Sequence, residues 1–287
     1  MKRLNTVIAY GLILPACGPI VVFMLSVVGM AVSQSFGLFN FSGQDQFSLT
    51  YWHQLQINPQ FWRAFYYSAR TATLSALLAV ALAYPLALWL RTPFPGSTLV
   101  SSLLKAPLMI HGLVAALLFI NIISWQGFLN LVLLKLGVIT QPLRLQNDSF
   151  GIGVIFLQVW KQMPFALLIL SGAVRSIGED LFYAARDLGA TPWSCFRRVV
   201  LPLTLRALQV SLILIFIGAA GDLSFQVVAG PAAVNSLAQF MLRMQATGEG
   251  GWHLAAVVAV VLMVLSFIGS LLLAGLVQLF VTLDKRL

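Results

Sequence analysis

The segment Tyr183-Ala-Ala-Arg-Asp-Leu-Gly189, followed ten residues on by Val199-Val-Leu-Pro202, is a short polar and basic interruption between two long apolar runs. Each neighbouring run is long enough to cross a membrane, since a hydrocarbon core of roughly 30 Å needs about 20 residues of helix. A basic loop between two spans faces water and is a candidate docking surface. The segment therefore predicts both a membrane fold and a place where a partner binds.

The composition of the 287-residue chain agrees with a membrane fold, because 60% of its residues are apolar and 9% are charged. A soluble domain carries about 25% charged residues. Apolar runs of spanning length occur near residues 7–33, 61–90, 98–124, 150–174, 207–228 and 253–281. The period-two alternation of a transmembrane barrel is absent from the sequence. We predict an all-α integral membrane protein of six spans in one domain over residues 1–287, with short cytoplasmic helices in the loop 175–206.

The net charge of +9 is explained by membrane topology rather than by nucleic acid binding. If the spans alternate in direction, one side holds Lys2, Arg3, Arg91, Arg175, Arg186, Arg197, Arg198, Arg206, Lys285 and Arg286. By the positive-inside rule that side is the cytoplasm, and both termini lie there. We therefore expect the lipid membrane, and no nucleic acid, among the partners.

Motifs that would make the chain an enzyme are absent from the sequence. It has no Gly-Lys dipeptide and hence no P-loop for ATP. Its histidines, His53, His111 and His253, are far apart, and neither H-E-x-x-H, C-x-x-C nor G-x-S-x-G occurs. We expect no catalytic residue, metal or cofactor in this chain, and ATP hydrolysis on a separate subunit.

Capping signals predict two short helices in the loop between the fourth and fifth spans. Ser176-Ile-Gly-Glu179 has the form of a capping box, so a helix is expected to begin just after Ser176. Gly189 suits the left-handed position that ends a helix. Thr191 and Pro192 then supply an N-cap and a first helical residue. Spacing alone leaves two interpretations open: docking of another protein, or an amphipathic helix on the membrane interface.

This loop resembles the EAA loop in the membrane subunits of type I ABC importers, whose pattern is E-A-A, three residues, G, nine residues and I-x-L-P. The corresponding positions are Tyr183, Ala184, Ala185, Gly189, Val199, Leu201 and Pro202. Tyr183 stands where the family has Glu, and Val199 where it has Ile. The residues predicted to couple to the ATPase are Tyr183, Ala184, Ala185, Asp187, Gly189, Leu201 and Pro202. Asp187 does not occupy the position of the family's Glu.

The resemblance covers roughly residues 50–281. Segments similar to the polyamine, iron, thiamine and phosphonate branch of these permeases are Ala83-Tyr-Pro-Leu-Ala87, Asn130-Leu-Val-Leu-Leu before Gly137, Met163-Pro-Phe165, and Gly221-Asp222 through Gly230. The resemblance implies a bacterial inner-membrane permease whose loop helix seats in a groove of an ABC ATPase subunit. It also implies a second permease, identical or homologous, and a periplasmic or extracellular substrate-binding protein. The alternatives are a stand-alone secondary transporter or channel and a structural scaffold, neither of which explains the loop.

Ionisable residues inside spans are costly in lipid and usually line cavities or form pairs. Lys161 lies near the middle of the fourth predicted span and Asp222 in the fifth. We expect both side chains to face the bundle interior, where they pair or line the pathway. For Asp222, a structural hydrogen bond near Gly221 is an equal alternative.

Small residues recur every four positions along the second span, at Ser75, Ala79, Ala83 and Ala87. Such a stripe lets helices approach closely in lipid. We expect it to pack within the chain, with contact to a second permease as the alternative. Several spans are expected to be kinked by prolines. One of these prolines is Pro107 in the third span, and the same span contains His111.

Overall fold

The regular structure is helical throughout the part of the chain that the computed structural model describes, residues 2–39, 46–232, 235–248 and 250–284. No strand occurs within these ranges, which confirms the all-α fold. Six helical segments in them are long and apolar enough to span a membrane, as predicted. Lys285 and Arg286, and the side chains of Lys2 and Arg3, lie outside the described residues.

In chain order the α-helices are α1 (Lys2–Ser35), α2 (Thr50–Ile57), α3 (Pro59–Trp89), α4 (Ser97–Lys105), α5 (Gly112–Ile123), α6 (Phe128–Lys135), α7 (Ile152–Arg175), α8 (Glu179–Asp187), α9 (Pro192–Cys195), α10 (Leu201–Ala220), α11 (Ser224–Ala229), α12 (Leu237–Gln245) and α13 (Gly251–Asp284). A 3-10 turn, Ala106–Met109, follows α4, and a π-helical turn, Phe196–Val200, joins α9 to α10.

The predicted spans near 7–33, 61–90, 150–174 and 253–281 are confirmed by α1, α3, α7 and α13. The fifth span is displaced, because α10 ends at Ala220 and α11 follows as a separate short helix. Asp222 lies at this interruption, but the apolar stretches on either side place it inside one predicted span.

The third predicted span, 98–124, is wrong as a continuous helix. The 3-10 turn divides α4 from α5, and Pro107 lies within that turn. Proline has no N–H to donate and clashes with the preceding helical turn, which accounts for the break. His111, predicted inside the span, is instead the N-cap of α5. The stretch long enough to cross the membrane is Gly112–Lys135, made by α5 and α6.

The small-residue stripe of α3 packs within the chain, as the simpler interpretation predicted. Ala79 and Ala83 are fully buried, in a core that also holds Ala166 and Leu170 of α7 and Leu212 of α10. Because apolar burial gives helices little preference for each other over lipid, close backbone approach at small residues supplies the packing.

The chain divides into two compact units: Met1–Pro59 with Phe240–Val261, and Gln60–Gln239 with Leu262–Leu287. In the first unit, His253 is buried: its Nδ1 lies 2.8 Å from the carbonyl oxygen of Gln34, and its ring stacks on Tyr51 at 4.7 Å. The second unit contains the α3, α7 and α10 core and the loop 175–206. A single domain over residues 1–287 stays a prediction.

Gly269 marks a close helix contact inside the second unit. A Cβ added to Gly269 would lie 2.5 Å from the ring Cζ of Phe216, a side chain only 1% exposed. We expect Gly269→Leu to reduce stability by about 1–3 kcal/mol through overpacking. Gly275→Leu is the matched control, because nothing lies within 4 Å of that position. Thermal unfolding in detergent measures both variants, and equal midpoints would contradict the contact.

Candidate functional site

We call residues 175–206 the coupling loop, after the role predicted for them. The first helix of this loop, α8, has a different N-cap from the predicted one. The capping box is wrong, because the N-cap of α8 is Gly178 and makes no side-chain hydrogen bond. Ser176 is the C-cap of α7, and its hydroxyl donates to the carbonyl oxygen of Ala173 at 2.7 Å. The backbone of Ser176 is helical, with φ −72° and ψ −12°, whereas an N-cap residue has an extended backbone. The carboxylate of Glu179, in the first turn of α8, favours that helix through its dipole.

The end of α8 is confirmed at Gly189, which has a φ of +76°. The amide of Ala190 donates to the carbonyl oxygen of Ala185 at 2.9 Å, and that of Gly189 to Arg186 at 2.8 Å. This pair of bonds satisfies the last carbonyls of the helix, as in a Schellman motif. The chain therefore reverses sharply at Gly189 and enters the next helix.

The left-handed backbone makes Gly189 and Gly178 a matched pair of test positions. Both have open space around an added Cβ atom, but only Gly189 has a positive φ. We expect Gly189→Ala to destabilise the reversal by about 1 kcal/mol, and Gly178→Ala to leave it unchanged. Amide hydrogen exchange across α8 measures this difference. Equal exchange in the two variants would contradict the role of the positive φ.

The second helix of the loop begins as predicted. The Oγ1 of Thr191 accepts a hydrogen bond from the amide of Ser194 at 3.2 Å, and Pro192 is the first helical residue. The π-helical turn then leads directly into α10, whose first residues are Leu201 and Pro202. The loop is thus a helix, a glycine reversal and a second helix that is continuous with a membrane span.

The coupling loop exposes apolar side chains. Leu188 is 88% exposed, Trp193 67% and Tyr183 57%. A contiguous exposed apolar patch marks a surface that contacts another protein or a membrane, so these side chains make the loop a candidate for such a surface. Of the other predicted coupling residues, Ala184, Asp187 and Gly189 are exposed, and Ala185, Leu201 and Pro202 are half-buried.

Two arginines fasten the coupling loop to the end of α3. The Nη2 of Arg175 donates to the carbonyl oxygen of Leu90 at 3.3 Å. In the opposite direction, the Nη2 of Arg91 donates to the carbonyl oxygen of Ile177 at 3.2 Å. The Arg91 guanidinium also lies 3.6 Å from the ring centroid of Phe182, a cation–π contact. We call these five residues the arginine clamp. In the sequence, both arginines indicate only the membrane topology. Their contacts are not visible there, because the partners are backbone carbonyls.

Lys161 is bound to the break between α4 and α5. Its Nζ donates to the carbonyl oxygens of Pro107, at 2.7 Å, and of Ile110. These carbonyls belong to the 3-10 turn and its exit, where the helical bonding pattern is interrupted. The ammonium group of Lys161 therefore donates hydrogen bonds at the point where the helix between α4 and α5 is interrupted.

Asp222 caps α11. Its Oδ2 accepts a hydrogen bond from the amide of Phe225 at 2.9 Å, which confirms the structural alternative for this residue. Lys161 and Asp222 thus have separate partners. That either side chain lines the transport pathway stays a prediction.

Two buried side-chain amides carry no charge, so an inspection of the ionisable residues in the sequence does not reveal them. Gln158 of α7 and Gln226 of α11 are 1% and 2% exposed. Both amide atoms of Gln158, and the Oε1 of Gln226, have no hydrogen-bond partner within the described part of the chain. An unsatisfied buried polar group costs about 1–3 kcal/mol. Neutral polar residues inside apolar helices were the available signal in the sequence.

Almost the whole chain matches one known protein family. The model of the family described as "Binding-protein-dependent transport system inner membrane component" matches residues 2–281. The chain belongs to this family. It is therefore a multi-pass permease component of an inner-membrane transport system, and the family is not itself catalytic.

Curated relatives of this permease include permease proteins of several transport systems. Over 207 residues it is 28% identical to the spermidine/putrescine transport system permease protein PotB of Escherichia coli K12, covering 72% of this chain and 74% of the relative. Over 156 residues it is 33% identical to a probable molybdenum ABC transporter permease of Haloferax volcanii, covering 54% of each. These relatives favour an ABC importer permease over a stand-alone transporter or channel.

Solved structures show the same fold. A chain of a bacterial ABC transporter involved in import of the acidic polysaccharide alginate superposes with a TM-score of 0.74 at 19% identity, covering 100% of this permease and 99% of that chain. A chain of the MetNI methionine ABC transporter gives a TM-score of 0.57 at 18% identity, covering 77% and 97%. The permease fold is therefore shared at low sequence identity.

Proposed function

We propose that this permease is driven by a separate ABC ATPase subunit that docks on the coupling loop, and that its ATP cycle is transmitted through α8 to the spans. Cargo then passes along a pathway formed with a second permease, identical or homologous. A soluble substrate-binding protein delivers cargo to the outer face. This chain itself holds no ATP, metal or other cofactor.

The observation that carries the proposal is the geometry of the coupling loop. Leu188 and Tyr183 expose apolar surface on a helix that ends in the Gly189 reversal. The second helix is continuous with α10 through the π-helical turn, so a displacement of the loop moves a span directly. A rigid lever of this kind is a recognised way to convert a binding event into domain motion.

The surface of α1 leaves room for the second permease. Its apolar side chains are exposed, including Val22 at 68%, Leu25 at 67% and Phe23 at 63%. In a membrane such a face lies against lipid or against another chain.

Both termini lie in the cytoplasm in this proposal, on the same side as the coupling loop, as the distribution of basic residues predicts.

Copurification tests the docking. The wild-type permease, purified from native membranes, is expected to carry a P-loop protein with ATPase activity, and Gly189→Arg is expected to lose it. Gly248→Arg is the matched control, because Gly248 also has a positive φ, +86°, and open surroundings but lies outside the coupling loop. Transport of cargo by purified permease without any ATPase would overturn the proposal.

A further inference from the structure

An apolar groove of about 600 Å³ lies between α3 and the second half of the coupling loop. Aromatic side chains form much of its wall: the ring of Phe196 stacks on Trp193 at 5.4 Å and meets Tyr84 edge-on, also at 5.4 Å. Ala81 leaves room at the side of α3, and Trp193 is 67% exposed at the rim. A groove of this volume falls in the range of about 300–1,000 Å³ typical of ligand sites.

A basic pocket of about 270 Å³ adjoins the groove. The two share wall residues, among them Leu88 and Phe196, so they form one continuous surface. Arg91 and Arg186 line the pocket, and none of the described residues that line it is acidic. An apolar groove that ends in a pocket with two cations is complementary to an amphiphile. The apolar chain fits the groove, and an anionic head fits the pocket.

We propose that the groove and the pocket together bind one anionic phospholipid, with an acyl chain in the groove and the phosphate at Arg186 and Arg91. Arg91 has donors to spare, since a guanidinium carries five N–H groups and one of its nitrogens donates to Ile177. Both arginines belong to the set predicted to face the cytoplasm. Basic pockets between spans on that side suit anionic head groups.

A lipid bound there connects α3 to both helices of the coupling loop. Its acyl chain lies on Tyr84 of α3 and Phe196 of the π-helical turn, and its phosphate meets Arg186 of α8. The site goes beyond ATPase docking, because it concerns the lipid that surrounds the permease and is occupied with or without ATP.

Lipid retention tests the site. The transporter, purified in nanodiscs of equal phosphatidylglycerol and phosphatidylethanolamine, is transferred to detergent, and the lipids that remain bound are counted by native mass spectrometry. The wild type is expected to retain phosphatidylglycerol in preference to phosphatidylethanolamine. Arg186→Gln is expected to lower that retention about fivefold, the effect of one cation near a membrane surface. Ala81→Trp, which fills the groove, is expected to lower it at least as much.

Matched controls separate the site from general effects. Leu82→Trp adds the same ring to α3 at an exposed position outside the groove, and Arg206→Gln removes an exposed arginine outside the pocket. Both are expected to retain lipid like the wild type. Arg186 is exposed, so Arg186→Gln decides the matter if Ala81→Trp is not recovered folded. Equal retention of the two lipids, unchanged retention in Arg186→Gln, or displacement of the lipid by inorganic phosphate would overturn the proposal.

Discussion

Lys161→Met is expected to lower the stability of the permease by about 3 kcal/mol. The ammonium of Lys161 donates to the carbonyl oxygens of Pro107 and Ile110, at the point where the chain leaves helical bonding. In a membrane such carbonyls have no water to replace the lost donor. Methionine keeps the length of the side chain but offers no hydrogen. Thermal unfolding in detergent, followed by size-exclusion chromatography, measures the loss.

Two controls accompany the lysine variant. Lys105→Met removes a positive charge from the end of α4 without removing those bonds, and is expected to have a small effect. Asp222→Asn is also expected to be mild, because asparagine can accept the same bond from the amide of Phe225. If Lys161→Met unfolds at the wild-type temperature, the lysine does not hold the break together. A stable variant that fails to transport would instead favour the predicted pathway role.

Arg91→Ala is expected to loosen α8 and to uncouple ATP hydrolysis from transport. The substitution removes the bond to Ile177 and the cation–π contact with Phe182, together about 2 kcal/mol. That corresponds to roughly a 30-fold rise in the population of the detached loop. Hydrogen exchange of the α8 amides measures this population. In proteoliposomes of the complete transporter, the amount of cargo moved per ATP is expected to fall in parallel.

A double-mutant cycle tests the contacts within the arginine clamp, and a substitution outside the clamp serves as the control. In a double-mutant cycle of Arg91→Ala and Phe182→Ala, contacting partners are expected to show a coupling energy. Arg206→Ala removes an exposed arginine from the same loop but outside the clamp, and is expected to leave exchange of α8 unchanged. Wild-type exchange in Arg91→Ala would show that the clamp does not hold the loop.

Local signals predicted the parts of the coupling loop that depend on backbone geometry. Gly189 and Thr191 were both identified from the sequence, because a left-handed reversal and an N-cap each require particular residue types. The capping box at Ser176 failed for a physical reason: the same hydroxyl can bond backward into the preceding helix, and α7 extends far enough to take it. Local patterns cannot decide between two helices that compete for one residue.

Long-range contacts were beyond the reach of the sequence. The arginine clamp joins residues that are 85 and 86 positions apart, through carbonyls that every residue possesses. Hydropathy likewise could not detect the division of the third span, since Lys105 is the only charged residue in 98–124 and one lysine near the end of a span can snorkel. Lys161 was recognised as unusual inside a span, but its partners are backbone groups exposed only by that division.

Photo-crosslinking at Leu188 tests whether an ATPase subunit docks on the coupling loop. Leu188 is 88% exposed on this loop, and Leu82, at 49%, is a control on α3. A photoreactive amino acid is placed at either position in membranes that are active in transport, and the products are identified by mass. We expect an adduct of permease and ATPase from Leu188 and not from Leu82. An active transporter that gives no ATPase adduct from Leu188, or gives it equally from Leu82, would contradict this docking.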